Sequence, residues 1–149
     1  MSRSATRKRI EEKADALFYE AGFEATSFAD IAGAVGISRG NFYHHFKSKD
    51  DILDAVIDRR LAATQTLLEA WETDAAPKDR IRSFIRILIT NRTKIMAFGC
   101  PVGTLTTELA KLDHIAESRA AEIFGLFRDW LADQFRALGH KDDADALAL

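Results

Sequence analysis

Apolar residues recur at helical spacing from the start of the chain. Ile10, Ala14, Leu17, Phe18 and Ala21 fall on one face of a helix beginning near Thr6, and Gly22 behind them suits the left-handed residue that ends it. Ser27 with Asp30 three positions on has the form of a helix start, and Ile31, Ala32 and Val35 give a short apolar stripe closed by Gly36. Ser38 starts a further short segment, "RGNFYHHF". From Ser48 or Lys49 a long helix is predicted through Ile52, Leu53, Val56, Ile57, Leu61, Thr64, Leu67, Leu68 and Trp71.

The clearest break is "ETDAAPKDR", where Asp74 to Ala76 turn the chain and Pro77 suits the first turn of a new helix. That helix, carrying Phe84, Ile85, Leu88 and Ile89, is expected to end before "FGCPVG"; Thr104 then caps "LTTELAKL". A longer helix is predicted from about Asp113 to Leu138, stopped by Gly139, and Asp142 caps a last one, "DADALAL". Two turns of apolar-patterned helix are marginal alone, so the chain reads as shortened at its C-terminal end. No repeat or low-complexity segment interrupts the pattern.

Composition supports an all-α class: 149 residues, 47% hydrophobic, with only two prolines. The formal charge of −2 excludes a polycation that coats nucleic acid indiscriminately, so any such surface has to be local. Residues 1–49 carry eight Lys/Arg against six Asp/Glu, and the remainder thirteen against seventeen, which places the mild basic bias at the N-terminal end. A single cysteine, Cys100, excludes an internal disulfide framework and cysteine-rich zinc modules. The absence of a long apolar run predicts no membrane span, and a cytoplasmic location is expected.

The two short helices meet at "AVGIS", and this is helix-turn-helix spacing. Ile31, Ala32, Val35, Ile37 and Phe42 can share one small core, leaving Arg39, Asn41, Tyr43 and His44 outward. The same spacing fits an αα-corner in any helical protein. The chemistry shifts the balance: arginine pairs bidentately with guanine and asparagine with adenine, while tyrosine, histidine and lysine donate to phosphate.

Gly22-Phe23, "TSFADIAGAVGISRGNFYHHFKSKDDIL" from Thr26 to Leu53, and the amphipathic helix before them resemble the DNA-binding domain of the TetR family of transcriptional regulators. The specific combination is "IA..VGIS.G.FY.HF.SK..IL"; Phe42 stands where leucine or isoleucine is usual, and Gly33 weakens its helix by about 1 kcal/mol relative to alanine. The resemblance implies a three-helix helix-turn-helix DNA-binding domain over residues 1–50, followed over residues 51–149 by an incomplete helical effector-binding and dimerisation domain. It implies that Ser27 and Phe28 lie near the DNA backbone, and that Arg39 and Asn41 read bases while Gly40 permits close approach. Tyr43 and His44 would contact backbone or a thymine methyl, His45 would stand near a phosphate, and Lys49 would meet a phosphate. Arg3, Arg7, Lys8 and Arg9 either add attraction to the backbone or form a solvated tail.

"FGCPVGTLTTELA" resembles a loop and helix that border the ligand pocket in several family members. On that likeness Trp71, Phe84, Leu88, Phe98, Leu105 and Phe127 are the candidate ligand contacts, and an apolar or aromatic small-molecule effector is expected. The implied function is a ligand-released repressor that binds pseudo-palindromic operator DNA as a homodimer. The alternative is a helical ligand-binding or scaffolding module without DNA binding.

Other chemistry is not supported. His44 and His45 diverge by about 100° on a helix and share no metal without further ligands. His114 and His140 fall outside any ligand spacing. Cys100 lacks an adjacent basic residue to activate it, and Asp30, Glu108 and Asp113 form no acid–base pair. No enzyme, metal or cofactor is expected.

Overall fold

The computed structural model describes residues 2–73 and 76–149. Among them the chain forms α1 Arg3–Glu20, α2 Phe28–Val35, α3 Arg39–Tyr43, α4 Lys49–Glu72, α5 Pro77–Thr90, α6 Arg92–Phe98, α7 Gly103–Lys111, α8 Glu117–Ala137 and α9 Ala144–Leu147, with no strand. The all-helical class follows from the periodicity and the good helix formers already noted.

Local chemistry sets the first four helices. Ser2, Ser27, Ser38 and Ser48 sit in extended conformation before α1, α2, α3 and α4, and each hydroxyl accepts the amide three residues on. At α2 and α4 the box is reciprocal, since Asp30 and Asp51 return a bond to the cap amide. Gly36 ends α2 at φ 77°, a conformation that costs a side-chain-bearing residue energy but not glycine.

Two apolar cores lie along α4. The first joins Ile10, Ala14 and Phe18 of α1, Ile31, Ala32 and Val35 of α2, Phe42 and Phe46, and Ile52, Leu53, Val56 and Ile57 of α4. Leu105 and Leu109 of α7, with Ala116 and Ala120, close it from the other side. The packing of the N-terminal helices therefore continues past residue 50. The second core gathers Leu68, Trp130, Leu131, Ala132 and Ala148, with Trp71, Ile81, Phe84, Leu126, Phe127 and Phe135 against it. Helix α4 thus contributes to both cores.

Four expectations are corrected. The helix after Pro77 is broken at Asn91, whose backbone leaves the helical region (φ −95°, ψ 8°) and whose side-chain amide donates to the Ile87 carbonyl. Thr104 does not cap α7; it lies inside the helix, where its hydroxyl donates to the Cys100 carbonyl at 2.7 Å. The long helix begins at Glu117, because Asp113 adopts φ 50° and turns the chain first. The last helix starts after Asp143 without a side-chain cap. Of the turn expected at Asp74 to Ala76, Asp74 and Ala75 lie outside the described residues.

Candidate nucleic-acid interface

The α2–α3 unit is held together by aromatic rings. Phe28 stands edge-on to Phe42 at 5.1 Å between ring centres and lies against Tyr43 at 5.5 Å. Phe42 and Phe46 are buried, so the side of α3 that carries Phe42 is committed to the core. Arg39, Gly40, Asn41, Tyr43 and His44 remain exposed. Among the described residues neither the Arg39 guanidinium nor the Asn41 carboxamide has a hydrogen-bond partner, so their donors and acceptors are available to an external surface.

Gly40 adds a separate observation. A Cβ placed there would meet nothing within 4 Å, so the fold makes no demand for glycine inside this helix. Glycine costs about 1 kcal/mol relative to alanine in a helix interior.

Ser27 is exposed at the start of α2. Its hydroxyl accepts from the Asp30 amide at 3.1 Å, and Asp30 Oδ2 accepts from the Ser27 amide at 2.8 Å. The Ser27 backbone amide first, and the Ser27 side chain second, hold the Asp30 carboxyl below its ordinary pKa.

His45 is half-buried, and burial followed by Arg3, Arg7 and His44 lowers its pKa, so the ring is neutral near pH 7. Lys49 is tied inward. Its ammonium donates to the Phe23 carbonyl at 2.8 Å and the Glu24 carbonyl at 3.4 Å and stands 4.2 Å from the Phe23 ring centre. Two of its three donors are thereby used within the protein.

The basic residues near the N-terminus are organised rather than loose. Arg9 donates to the Val35 carbonyl at the end of α2, Arg3 to the His44 carbonyl and Arg7 to the His45 carbonyl just beyond α3. Arg7 also covers the Phe46 ring at 4.1 Å. Cations at helix C-termini complement the helix dipole, so α1 clamps the reading unit. Lys8 remains exposed.

Two residues far along the chain also reach this unit. Glu108 of α7 accepts the amides of Phe23 and Glu24 at 3.0 and 2.9 Å, in the turn between α1 and α2. Gly22 makes room for it: a Cβ there would lie 3.1 Å from Glu108 Oε1, and φ 92° independently favours glycine. His114 Nδ1 accepts the Ala116 amide, so Nε2 carries the proton towards Asp50 Oδ1 at 2.9 Å in the first turn of α4. Sequence separation hides both: Phe23 and Glu108 are 85 positions apart. Lys47, which donates to the Tyr43 carbonyl at 2.7 Å, was signalled only by its spacing of four.

The candidate ligand contacts divide. Phe84, Leu88 and Phe127, with Ile87, Ile95 and Val102 among their neighbours, line an apolar cleft of about 150 Å³ bordered by Cys100 and Pro101. Trp71 packs on Trp130, Phe98 stands edge-on to Tyr19, and Leu105 is buried in the N-terminal core, so these three lie away from it. Among the described residues no group of three or more His, Cys, Asp and Glu side chains forms a metal site, and no helix is long and apolar enough to cross a membrane.

A clamped helix-turn-helix with an uncommitted polar face, joined by a long helix to a second helical layer, defines a DNA-binding regulator class. Residues 10–56 match the family model for bacterial regulatory proteins of the tetR family. The HTH-type transcriptional repressor DhaR of Mycobacterium sp. (strain GP1) is 26% identical over 133 residues, covering 88% of this chain and 64% of that protein. An uncharacterized HTH-type transcriptional regulator in the lacX 3' region of Lactococcus lactis subsp. lactis is 28% identical over 136 residues, 89% of this chain and 69% of that protein. The crystal structure of a TetR transcriptional regulator from Legionella pneumophila superposes with a TM-score of 0.84 at 26% identity, over 99% of this chain and 80% of that one. Residues 10–56 thus resemble the DNA-binding helix-turn-helix of the TetR family, and the all-helical fold around them is that of TetR-type regulators. The relatives it matches are transcriptional regulators, not enzymes.

Proposed function

We propose that the protein is a cytoplasmic transcriptional repressor that binds pseudo-palindromic operator DNA as a homodimer and is released by a small, mostly apolar effector. The carrying observation is the outward face of α3, where Arg39 and Asn41 have no partner among the described residues and Gly40 leaves space that the fold does not use. Arg39 and Asn41 read base edges in the major groove, and Gly40 admits the duplex. Ser27, Phe28, Tyr43, His44 and His45 border the phosphates on either side. Lys49 acts first by holding the Phe23–Glu24 turn, with one donor left for a phosphate.

A dimer sets two α3 helices into half-sites about 34 Å apart, one helical turn of DNA. Exposed Ile85, Leu88 and Ile89 on α5 and Phe124 on α8 supply apolar surface for a ligand or a second copy. The cleft at Phe84, Leu88 and Phe127 takes the effector, which acts only by binding the DNA-incompetent arrangement more tightly than the competent one.

The test is a mobility shift with the DNA upstream of the protein's own coding sequence. Wild type retards this fragment, and Arg39→Ala weakens binding by about ten- to a hundredfold, the loss of one bidentate base contact. Failure of wild type to retard it, or an Arg39→Ala variant that binds equally well, overturns the reading.

A further inference from the structure

We infer that Glu108, which faces no DNA, is a positioning residue for operator binding: its carboxylate fixes the α1–α2 turn from which the reading unit is hung. This inference rests on the proposed DNA-binding function and assigns part of its control to α7.

The carboxylate accepts two consecutive backbone amides, those of Phe23 and Glu24, and the carbonyls of the same two residues accept the Lys49 ammonium. The turn is thus held from both sides, by an anion on its N–H groups and a cation on its C=O groups. Charge-assisted bonds of this kind are shorter and stronger than neutral ones, and they fix direction as well as distance. Three residues past Glu24, Ser27 begins α2. A shift of the turn therefore moves the start of α2, and through Phe28 it moves Phe42 and Tyr43 of α3.

The other end of α7 lies elsewhere. Cys100, Pro101 and Val102, immediately before the helix, border the apolar cleft. Two further bonds tie this loop to the N-terminal helices: Tyr19 Oη donates to the Gly99 carbonyl at 2.9 Å, and Arg60 Nη1 to the Pro101 carbonyl at 3.2 Å. Leu105 and Leu109, buried in the N-terminal core, make α7 a stiff connection between the two ends. A ligand that displaces the loop pulls on Glu108 directly, without first bending α4.

Glu108→Gln tests this. The carboxamide keeps the shape but sets an NH2 group against one of the two amides. Operator affinity is measured by fluorescence anisotropy at a temperature where circular dichroism shows wild type and variant fully folded, and amide exchange at Phe23 and Glu24 is followed by NMR. The expected result is faster exchange at those amides and about tenfold weaker DNA binding, within the range of remote coupling mutations. Ile123→Val, at a buried residue of α8 away from the turn, lowers the melting midpoint without changing affinity.

Faster exchange with wild-type affinity overturns the inference, as does weak binding with both amides still protected. Should Glu108→Gln not fold, Glu108→Asp, which keeps the charge on a shorter stem, is measured in the same way and expected to lose part of the affinity; full affinity with exchange accelerated again refutes it. Absence of wild-type binding, or no effect of Arg39→Ala, removes the DNA-binding reading itself. A wild-type affinity for Glu108→Gln beside a defective Arg39→Ala removes only the role of Glu108.

Discussion

Ser2, Ser27, Ser38 and Ser48 start α1 to α4 with side-chain caps, whereas α5 to α9 begin at Ala76, Asn91, Val102, Ala116 and Asp143 with none. Burial sets two of the uncapped helices apart. Each of the first four helices places residues in a core, while α5 and α6 bury none. The N-terminal region fixes its geometry through bonds between near neighbours and a dense core, as a surface that has to match the fixed spacing of a duplex requires. Helices α5 and α6 lean on partial packing, and such helices shift or open at low cost.

The largest expected effect that would break this comparison comes from equivalent truncations in the two regions. Phe42→Ala should cost about 3–5 kcal/mol of unfolding free energy in a denaturant titration, because Phe42 is 1% exposed. Leu88→Ala, at a residue 46% exposed on α5, should stay within about 0.5 kcal/mol. Similar losses at both sites would contradict the contrast.

A smaller effect sharpens it. Ser27→Ala removes one side of the α2 capping box and should cost about 1 kcal/mol. In the same titration Ser83→Ala, at a half-buried position of α5, serves as the comparison: its hydroxyl only donates back to the Asp79 carbonyl, and a change near zero is expected.

The smallest effect is a dependence on pH. The folded pKa of His45 lies below the ordinary value of about 6.5, so its neutral form is favoured by folding. The unfolded chain takes up the proton first as pH falls. The contribution of His45 is therefore complete above pH 6.5 and declines between that value and the lower folded pKa. His45→Gln should make the difference in stability between pH 7.5 and 5.5 smaller than in wild type, measured by thermal unfolding; an unchanged difference would remove the burial argument.

Much of this was legible in the sequence because its causes are local. The serine caps, Asp30 and Asp51 as reciprocal partners, Pro77 at a first turn and glycine at the left-handed positions all act within four residues. The long-range features were not. Glu108 on the α1–α2 turn, His114 on Asp50 and the arginine clamps of α1 join residues 26 to 85 positions apart, and no periodicity marks them. The break at Asn91 was missed for a related reason. The apolar pattern continues across it, while the side chain that satisfies the Ile87 carbonyl is an ordinary surface asparagine. Among the candidate ligand contacts, Phe84, Leu88 and Phe127 share the cleft, but Leu105 has the same apolar character and lies in a different core.

Gly33 and Gly40 look alike from inside the protein, since each sits in a helix with open space where a Cβ would be. Alanine at either position favours the helix by up to about 1 kcal/mol. A laboratory selection for heat tolerance alone would therefore accept both replacements as improvements. On the proposed DNA-binding reading, selection for a working regulator would separate them, because a methyl group at position 40 would occupy space assigned to the approaching duplex. On that reading, engineering for robustness would leave the apparent weakness at Gly40 in place and replace Gly33 instead.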